Sequence, residues 1–286
     1  MFLNYWIWLA SIKDIGPARK LKLLEEFKSP QKVYFAKDNE LLKIEGISKK
    51  IVENISASKD EELLKKYEAY ILKNNIKLVN IFDEEYPESL RNIYAPPITL
   101  FTKGDVSLLK EKSIAIVGCR EPTSYGEYVT KNFAHQLCEN NITVISGMAR
   151  GIDTAAHIGA IQSCGKTIAV LGCGIDIIYP KENYKVYNEI LKRGLIISEY
   201  IVGTKPEPSN FPQRNRIISG LSDGVLVVEA KQKSGTMITT DFALEQGKEL
   251  YVIPGNITSA TSEGTNNLIK EGAKLVTTVN EILEDM

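Results

Sequence analysis

Ser113-Ile114-Ala115-Ile116-Val117-Gly118 introduces a pattern that recurs at Ile142-Thr143-Val144-Ile145-Ser146-Gly147 and at Thr167-Ile168-Ala169-Val170-Leu171-Gly172. Each run is nearly continuous in apolar, largely β-branched residues, closes on a glycine, and is followed by a stretch with helical spacing. A strand with one wet face alternates, whereas an unbroken run fits a strand buried on both faces. Such strands separated by helices build a parallel sheet with helices on either side. Leu195 to Ser198, Gly224 to Val228, Glu249 to Ile253 and Lys274 to Val276 extend the series. The fold class is α/β, with a doubly wound, mainly parallel sheet. Ligands of such sheets bind outside the carboxyl ends of the strands, which directs attention to the loops after the glycines.

Upstream the periodicity changes. Residues 1–75 have helical spacing without a convincing strand and hold 14 basic and 11 acidic residues. They are expected to form a small all-helical domain, with 76–286 as the α/β domain. Ile15-Gly16-Pro17-Ala18-Arg19-Lys20-Leu21 is echoed by Glu45-Gly46-Ile47-Ser48-Lys49-Lys50-Ile51, a glycine turn ahead of a basic helix start. Helix-hairpin-helix units have this pattern, and a helix N-terminus can offer its amides to phosphate. Packing of short helices accounts for it equally well. Between the two parts lies a mixed stretch containing Tyr86-Pro87 and Ala95-Pro96-Pro97.

The 286 residues are 43% hydrophobic and 25% charged, with 35 Lys+Arg against 36 Asp+Glu and a net charge of -1. These values exclude a disordered, collagenous or disulfide-built chain and show no whole-chain basicity of the kind that marks many phosphate-binding surfaces. Met1 to Ala10 is apolar but lacks the charged start and cleavage site of a signal peptide, and is too short for a bilayer. It is expected to be a buried first helix with Trp6 and Trp8 as core or interface anchors. Cys119, Cys138, Cys164 and Cys173 form no C-x-x-C pair, so neither zinc nor a disulfide framework is indicated. The expectation is a cytoplasmic protein with reduced thiols, no membrane partner, no metal and no cofactor.

The loops are rich in anion-binding parts. Gly118-Cys119-Arg120 is followed by Ser124 and Gly126, which places an arginine and a hydroxyl ahead of a helix start. This is neither a dinucleotide fingerprint nor a P-loop. Gly172-Cys173-Gly174 is a partial fingerprint with Ile177 in place of the third glycine. Ser146-Gly147-Met148-Ala149-Arg150-Gly151 adds small residues and a second arginine, and Asp153 suits a helix cap or an arginine partner. Phe211-Pro212-Gln213-Arg214-Asn215-Arg216 joins an aromatic to two arginines, a combination suited to stacking and phosphate contact with single strands. Alternatively, Phe211 is a hydrophobic staple and Arg214 and Arg216 are internal ion-pair partners. Lys231-Gln232-Lys233-Ser234-Gly235-Thr236 follows a strand and opens another helix, a phosphate nest with nearby lysines of which Lys233 is the expected contact. No nucleophile with an adjacent base stands out, although Asp176, Glu199, Asp223 and Glu229 lie near strand ends.

Ile114 to Gly126, Ser146 to His157, Phe211 to Ser222, Ser234 to Thr236 and Pro254-Gly255 together resemble, in order, the DNA-processing protein A (DprA/Smf) family. The resemblance implies an extended Rossmann-like domain preceded by a helix-hairpin-helix or SAM-like domain. It implies a non-enzymatic protein that binds and protects incoming single-stranded DNA and helps load the recombinase RecA in natural transformation and DNA recombination. The strand would lie on Arg120, Arg150, Arg214, Arg216 and the Ser234 nest with Phe211 for stacking, and the protein would be a homodimer. The rival resemblance is to phosphoribohydrolase-like nucleotide-processing proteins. Their G-G-x-G-T-x-x-E motif meets Gly235-Thr236 here, preceded by Ser234, with Thr239 where the catalytic glutamate belongs.

Overall fold

The computed structural model describes residues 2–286; Met1, first in the apolar opening stretch, lies outside the described residues. The chain begins with α1 (Phe2–Ser11), α2 (Pro17–Phe27), α3 (Pro30–Phe35), α4 (Asp38–Leu41), α5 (Lys49–Ala57) and α6 (Glu61–Lys73). Local chemistry sets their starts. Ser29, Ser48 and Asp60 accept the backbone N–H of Lys32, Ile51 and Leu63 in their side-chain oxygens, each satisfying an amide the helix leaves open. Helix α2 starts on Pro17, whose fixed φ and missing N–H suit that position. Trp8 is fully buried, meets Tyr34 edge-on and donates its indole N–H to Ser58 Oγ at 2.8 Å. Trp6 packs edge-on against Phe82, centroids 5.8 Å apart. One tryptophan thus serves the helical core and the other the contact with the rest of the chain.

The sheet begins at β1 (Lys77–Asn80), followed by the one-turn α7 (Glu88–Arg91) and β2 (Thr99–Gly104). Both strands are antiparallel additions at one edge. They are not visible in the sequence pattern because the prolines at 87, 96 and 97 interrupt any long alternation. Tyr86, buried between them, donates its hydroxyl to Pro97 O at 2.7 Å.

From β3 (Ser113–Val117) the chain moves outward through α8 (Ser124–Glu139), β4 (Thr143–Ser146), α9 (Ile152–Gln162), β5 (Thr167–Leu171), α10 (Tyr184–Arg193) and β6 (Leu195–Ser198). Helix α11 (Asn210–Leu221) carries it back to the other side of β3. There β7 (Gly224–Val227), α12 (Gly235–Glu245), β8 (Glu249–Val252), α13 (Glu263–Lys270), β9 (Lys274–Leu275) and α14 (Asn280–Leu283) move outward in the opposite direction. Among the described residues the sheet has nine strands in the order β1-β2-β6-β5-β4-β3-β7-β8-β9, parallel from β6 to β9. The connections diverge between β3 and β7, and that divergence opens a crevice above the strand ends.

Strand β3 feeds both layers. Ile114 and Ile116 join Phe133 and Ala134 of α8 and Ala156 and Ala160 of α9, whereas Ala115 and Val117 join Ile217 and Ile218 of α11. The latter cluster continues into Leu23 and Ile55 of the helical segment, so apolar burial docks the first six helices on the sheet. No helix among the described residues is long and apolar enough to cross a membrane.

Candidate functional site

Above the β3/β7 divergence, several loops and two helix starts enclose a cavity of about 500 Å³. The loop after β3 contributes Gly118, Cys119 and Arg120, and the start of α9 contributes Asp153. Helix α11 supplies Phe211, Arg214 and Asn215, and the β7–α12 connection supplies Lys231, Ser234, Gly235 and Thr236. Gly118, Arg120, Phe211, Arg214, Asn215, Ser234, Gly235 and Thr236 are therefore brought to one space from three distant parts of the sequence.

The walls are firmly braced. Buried Glu229 accepts from Thr123 N at 2.8 Å and Thr123 Oγ1 at 2.6 Å, tying the β3 loop to the end of β7. Gly126 packs on this carboxylate, leaving no room for a Cβ. Ser146 is buried and donates to Ile116 O at 2.7 Å. Gly151 has φ +75°, and a Cβ there would collide with the carbonyls of Cys119 and Arg120, so only glycine fits. Thr123 caps α8 by accepting from Gly126 N at 3.1 Å, while Ser124 is exposed outside the cavity lining. Ser124, Gly126, Ser146 and Gly151, expected as contact residues, thus flank or shape the cavity without facing it.

The two arginines of α11 diverge because positions two apart on a helix are about 200° apart. Arg214 is buried and turned toward the strand ends, where Nη1 donates to Gly147 O at 2.5 Å and to the Val170 carbonyl. Its Nε donates to Asn215 Oδ1 at 3.2 Å. A Cβ on Gly147 would lie 2.6 Å from the guanidinium, so glycine makes space for Arg214. Burial pushes the Asp153 carboxyl above its usual range against the pull of Arg214, and burial likewise lowers Arg214. Arg216 points to the far side of the helix, its Nη2 2.6 Å from both oxygens of Glu199. The ion-pair alternative describes Arg216, which is not among the cavity-lining residues.

What faces outward is different in kind. Arg120 is exposed, its guanidinium 5.8 Å from the Phe211 ring centroid. Phe211 lies against Gly172, where a Cβ would come within 2.8 Å of the ring. Exposed Arg150 pairs with Glu182 at 2.5 Å and lines an adjoining cleft with Arg120, Gly147 and Phe211. At the other end the lysine lining the cavity is Lys231; Lys233, expected there, is exposed outside the lining. Ser234 precedes the first turn of α12, and its buried Oγ has no partner among the described residues. The first amides of a helix also lack intrahelical acceptors, so this wall offers a set of open donors at the positive end of a dipole.

Reactive groups near the strand ends are committed elsewhere. Asp176 accepts from Gly203 N, Glu199 holds Arg216, Asp223 accepts from Ser113 N and Glu229 holds Thr123. Burial pushes the Cys119 and Cys173 thiols up to about 11. His157 is fully buried, its Nδ1 2.7 Å from Thr167 Oγ1, and burial lowers its pKa to about 3. Among the described residues no group of three His, Cys, Asp or Glu side chains could hold a metal ion.

The Rossmann-like sheet thus gathers exposed cations, open helix amides and an aromatic ring at its switch point, groups chemically suited to a polyanion carrying planar groups. The family model for DNA recombination-mediator protein A matches residues 77–286, and that for a SAM-like helix-hairpin-helix tandem matches residues 9–58. The chain belongs to the DNA recombination-mediator protein A family. It is 45% identical over 206 residues to DNA processing protein DprA of Streptococcus pneumoniae, covering 72% of this chain and 73% of that protein. The Bacillus subtilis DprA is 42% identical over 212 residues, covering 74% and 71%. An X-ray structure of the pneumococcal protein superposes with a TM-score of 0.88 at 37% identity, covering 99% of this chain and 98% of that one. DNA processing protein A from Helicobacter pylori, whose structure concerns its single-stranded DNA binding mode, superposes with a TM-score of 0.67 at 34% identity, covering 74% and 98%.

The parts the sequence reading overlooked are the Glu229 brace and Tyr179, whose ring centroid lies 5.6 Å from that of Phe211. Tyr179 follows the strand-ending Gly172 just as the other loops follow theirs, and that position was the available signal.

Proposed function

We propose that the crevice binds single-stranded DNA and that the protein acts as a recombination mediator, protecting incoming strands and helping to load RecA without chemically altering the DNA. The observation that carries this reading is the placing of Arg120, Lys231 and the α12 N-terminus around the half-buried ring of Phe211. Phosphates need the first three and an unstacked base needs the last. The Helicobacter relative, described by its single-stranded DNA binding mode, supports the choice of ligand. The commitment of Asp176, Glu199, Asp223 and Glu229 to structural bonds supports a binding role over a catalytic one. We further propose a cytoplasmic homodimer. Exposed Leu244, Ile257 and Leu275 on the β7–β9 half offer apolar surface for it, and paired crevices would raise affinity for long strands through effective concentration.

An electrophoretic mobility shift comparing single- and double-stranded oligonucleotides across a salt series tests this reading. Preference for single strands is expected, with each phosphate contact adding about 0.7 to the log–log salt slope. Equal affinity for duplex would defeat it.

A further inference from the structure

The cavity wall does not end at Phe211. Tyr179, on the loop after β5, is 42% exposed, and its ring is tilted 36° to that of Phe211 with centroids 5.6 Å apart. An adjoining groove of about 340 Å³ is lined by Arg120, Arg150 and Thr154 and by the carboxylates of Glu127 and Glu182. Arg120 lines the main cavity, the cleft between the rings and this groove, so a strand running from the main cavity toward Arg150 along this side has the ring pair beside its path.

We propose that Tyr179 is a second base platform. Two consecutive bases stack on Phe211 and Tyr179 while Arg120 and Arg150 hold the phosphates beside them. The proposal rests on the single-stranded DNA reading above. The 5.6 Å ring spacing exceeds the about 3.4 Å rise of a duplex strand, which suits bases splayed along an extended single strand. The cleft between the rings holds only about 20 Å³, so a base covers the rings and does not enter between them.

The platform is built before any ligand arrives. Asp176 accepts from Gly203 N at 2.9 Å, Tyr187 donates to Ile175 O at 2.9 Å, and Asn183 Nδ2 donates to Met148 O at 2.9 Å and Thr154 Oγ1 at 2.8 Å. Both ends of the loop carrying Tyr179 are thereby pinned, and stacking on it carries little ordering cost. The Arg150–Glu182 pair has side chains 60% and 54% exposed. Exposed pairs contribute little, so a phosphate can take the carboxylate's place.

Fluorescence anisotropy with labelled oligothymidylate would compare the wild type with Tyr179→Ala, Tyr179→Phe and Phe211→Ala. Tyr179→Ala should weaken binding about fivefold or more, and Tyr179→Phe should restore it, since stacking needs the ring and not the hydroxyl. In parallel, an oligonucleotide carrying 5-iododeoxyuridine, irradiated on the wild-type protein, should form adducts on the peptides containing Tyr179 and Phe211. Undiminished affinity of a folded Tyr179→Ala protein alongside a loss in Phe211→Ala would overturn the second platform and leave the crevice reading intact. Undiminished affinity in both would overturn the reading itself. If Tyr179→Ala does not fold, adducts confined to Phe211 in the wild type would overturn the second platform.

Discussion

The helical segment and the strand-end crevice present the same cues in sequence, a glycine turn at a helix start with basic residues beside it, and the fold uses them in opposite ways. At the first glycine turn of the helical segment the basic side chains are taken up by the rest of the chain. Arg19 Nε donates to Gly46 O at 3.1 Å, linking the two glycine turns to each other, and Lys22 pairs with Glu45 at 3.4 Å. Lys20 donates to Ala10 O at 2.7 Å, and burial lowers its pKa to about 8. In the crevice Arg120 and Lys231 have no carboxylate partner within ion-pair distance among the described residues. A basic turn becomes a candidate phosphate site only where the tertiary structure leaves its cations unclaimed.

Charge reversal tests this contrast most severely. Arg120→Glu with Lys231→Glu removes two phosphate contacts, which at about 0.7 per contact should weaken single-strand binding at least roughly 25-fold at about 0.1 M salt. Arg19→Glu with Lys22→Glu, at the glycine turn whose cations are already engaged, should cost less than about threefold. Comparable losses in the two anisotropy titrations would erase the distinction between the regions.

A smaller effect separates the two arginines of α11. Arg216→Ala leaves the largely buried Glu199 carboxylate, 17% exposed, without its cation, and should lower unfolding free energy by about 2–3 kcal/mol. Urea denaturation measures this, and the affinity of the still-folded protein for single strands should stay within about twofold. A large affinity loss with native stability would return Arg216 to the binding surface.

An effect visible only in the pH dependence concerns His157. Its folded-state pKa of about 3 lies below its ordinary value of 6.5, so the unfolded chain binds the extra proton between those limits. The stability this supplies is fully present above about pH 6.5 and is lost as pH falls toward about 3, by at most about 1.4 kcal/mol per pH unit. Thermal melts between pH 6.5 and 4 should be less steep in pH for His157→Asn than for the wild type. Identical slopes would mean that His157 titrates normally in the folded protein.

Much of this architecture is legible before folding. The strands ending at Gly118, Gly147 and Gly172 declare a sheet buried on both faces, and the loops after them declare where an anion can be held. The opposed directions of Arg214 and Arg216 were also readable, since two positions on an α-helix lie on nearly opposite sides. The antiparallel strands β1 and β2 were not, because prolines break the periodicity that would mark them. Nor was the replacement of Lys233 by Lys231 at the cavity, since both sit in an irregular loop without a repeat to orient them.

The sequence by itself determined the α/β class, the helical segment before it and the list of groups available at the strand ends, because apolar periodicity and helix-start chemistry act over a few residues. Only the tertiary structure decided which of those groups face the crevice. Arg214 became a brace, Arg216 half of an ion pair and Ser146 an internal tie, whereas Arg120, Lys231 and the ring of Tyr179 were left facing out. Such choices depend on partners tens of residues away along the chain, brought into reach only when the sheet assembles.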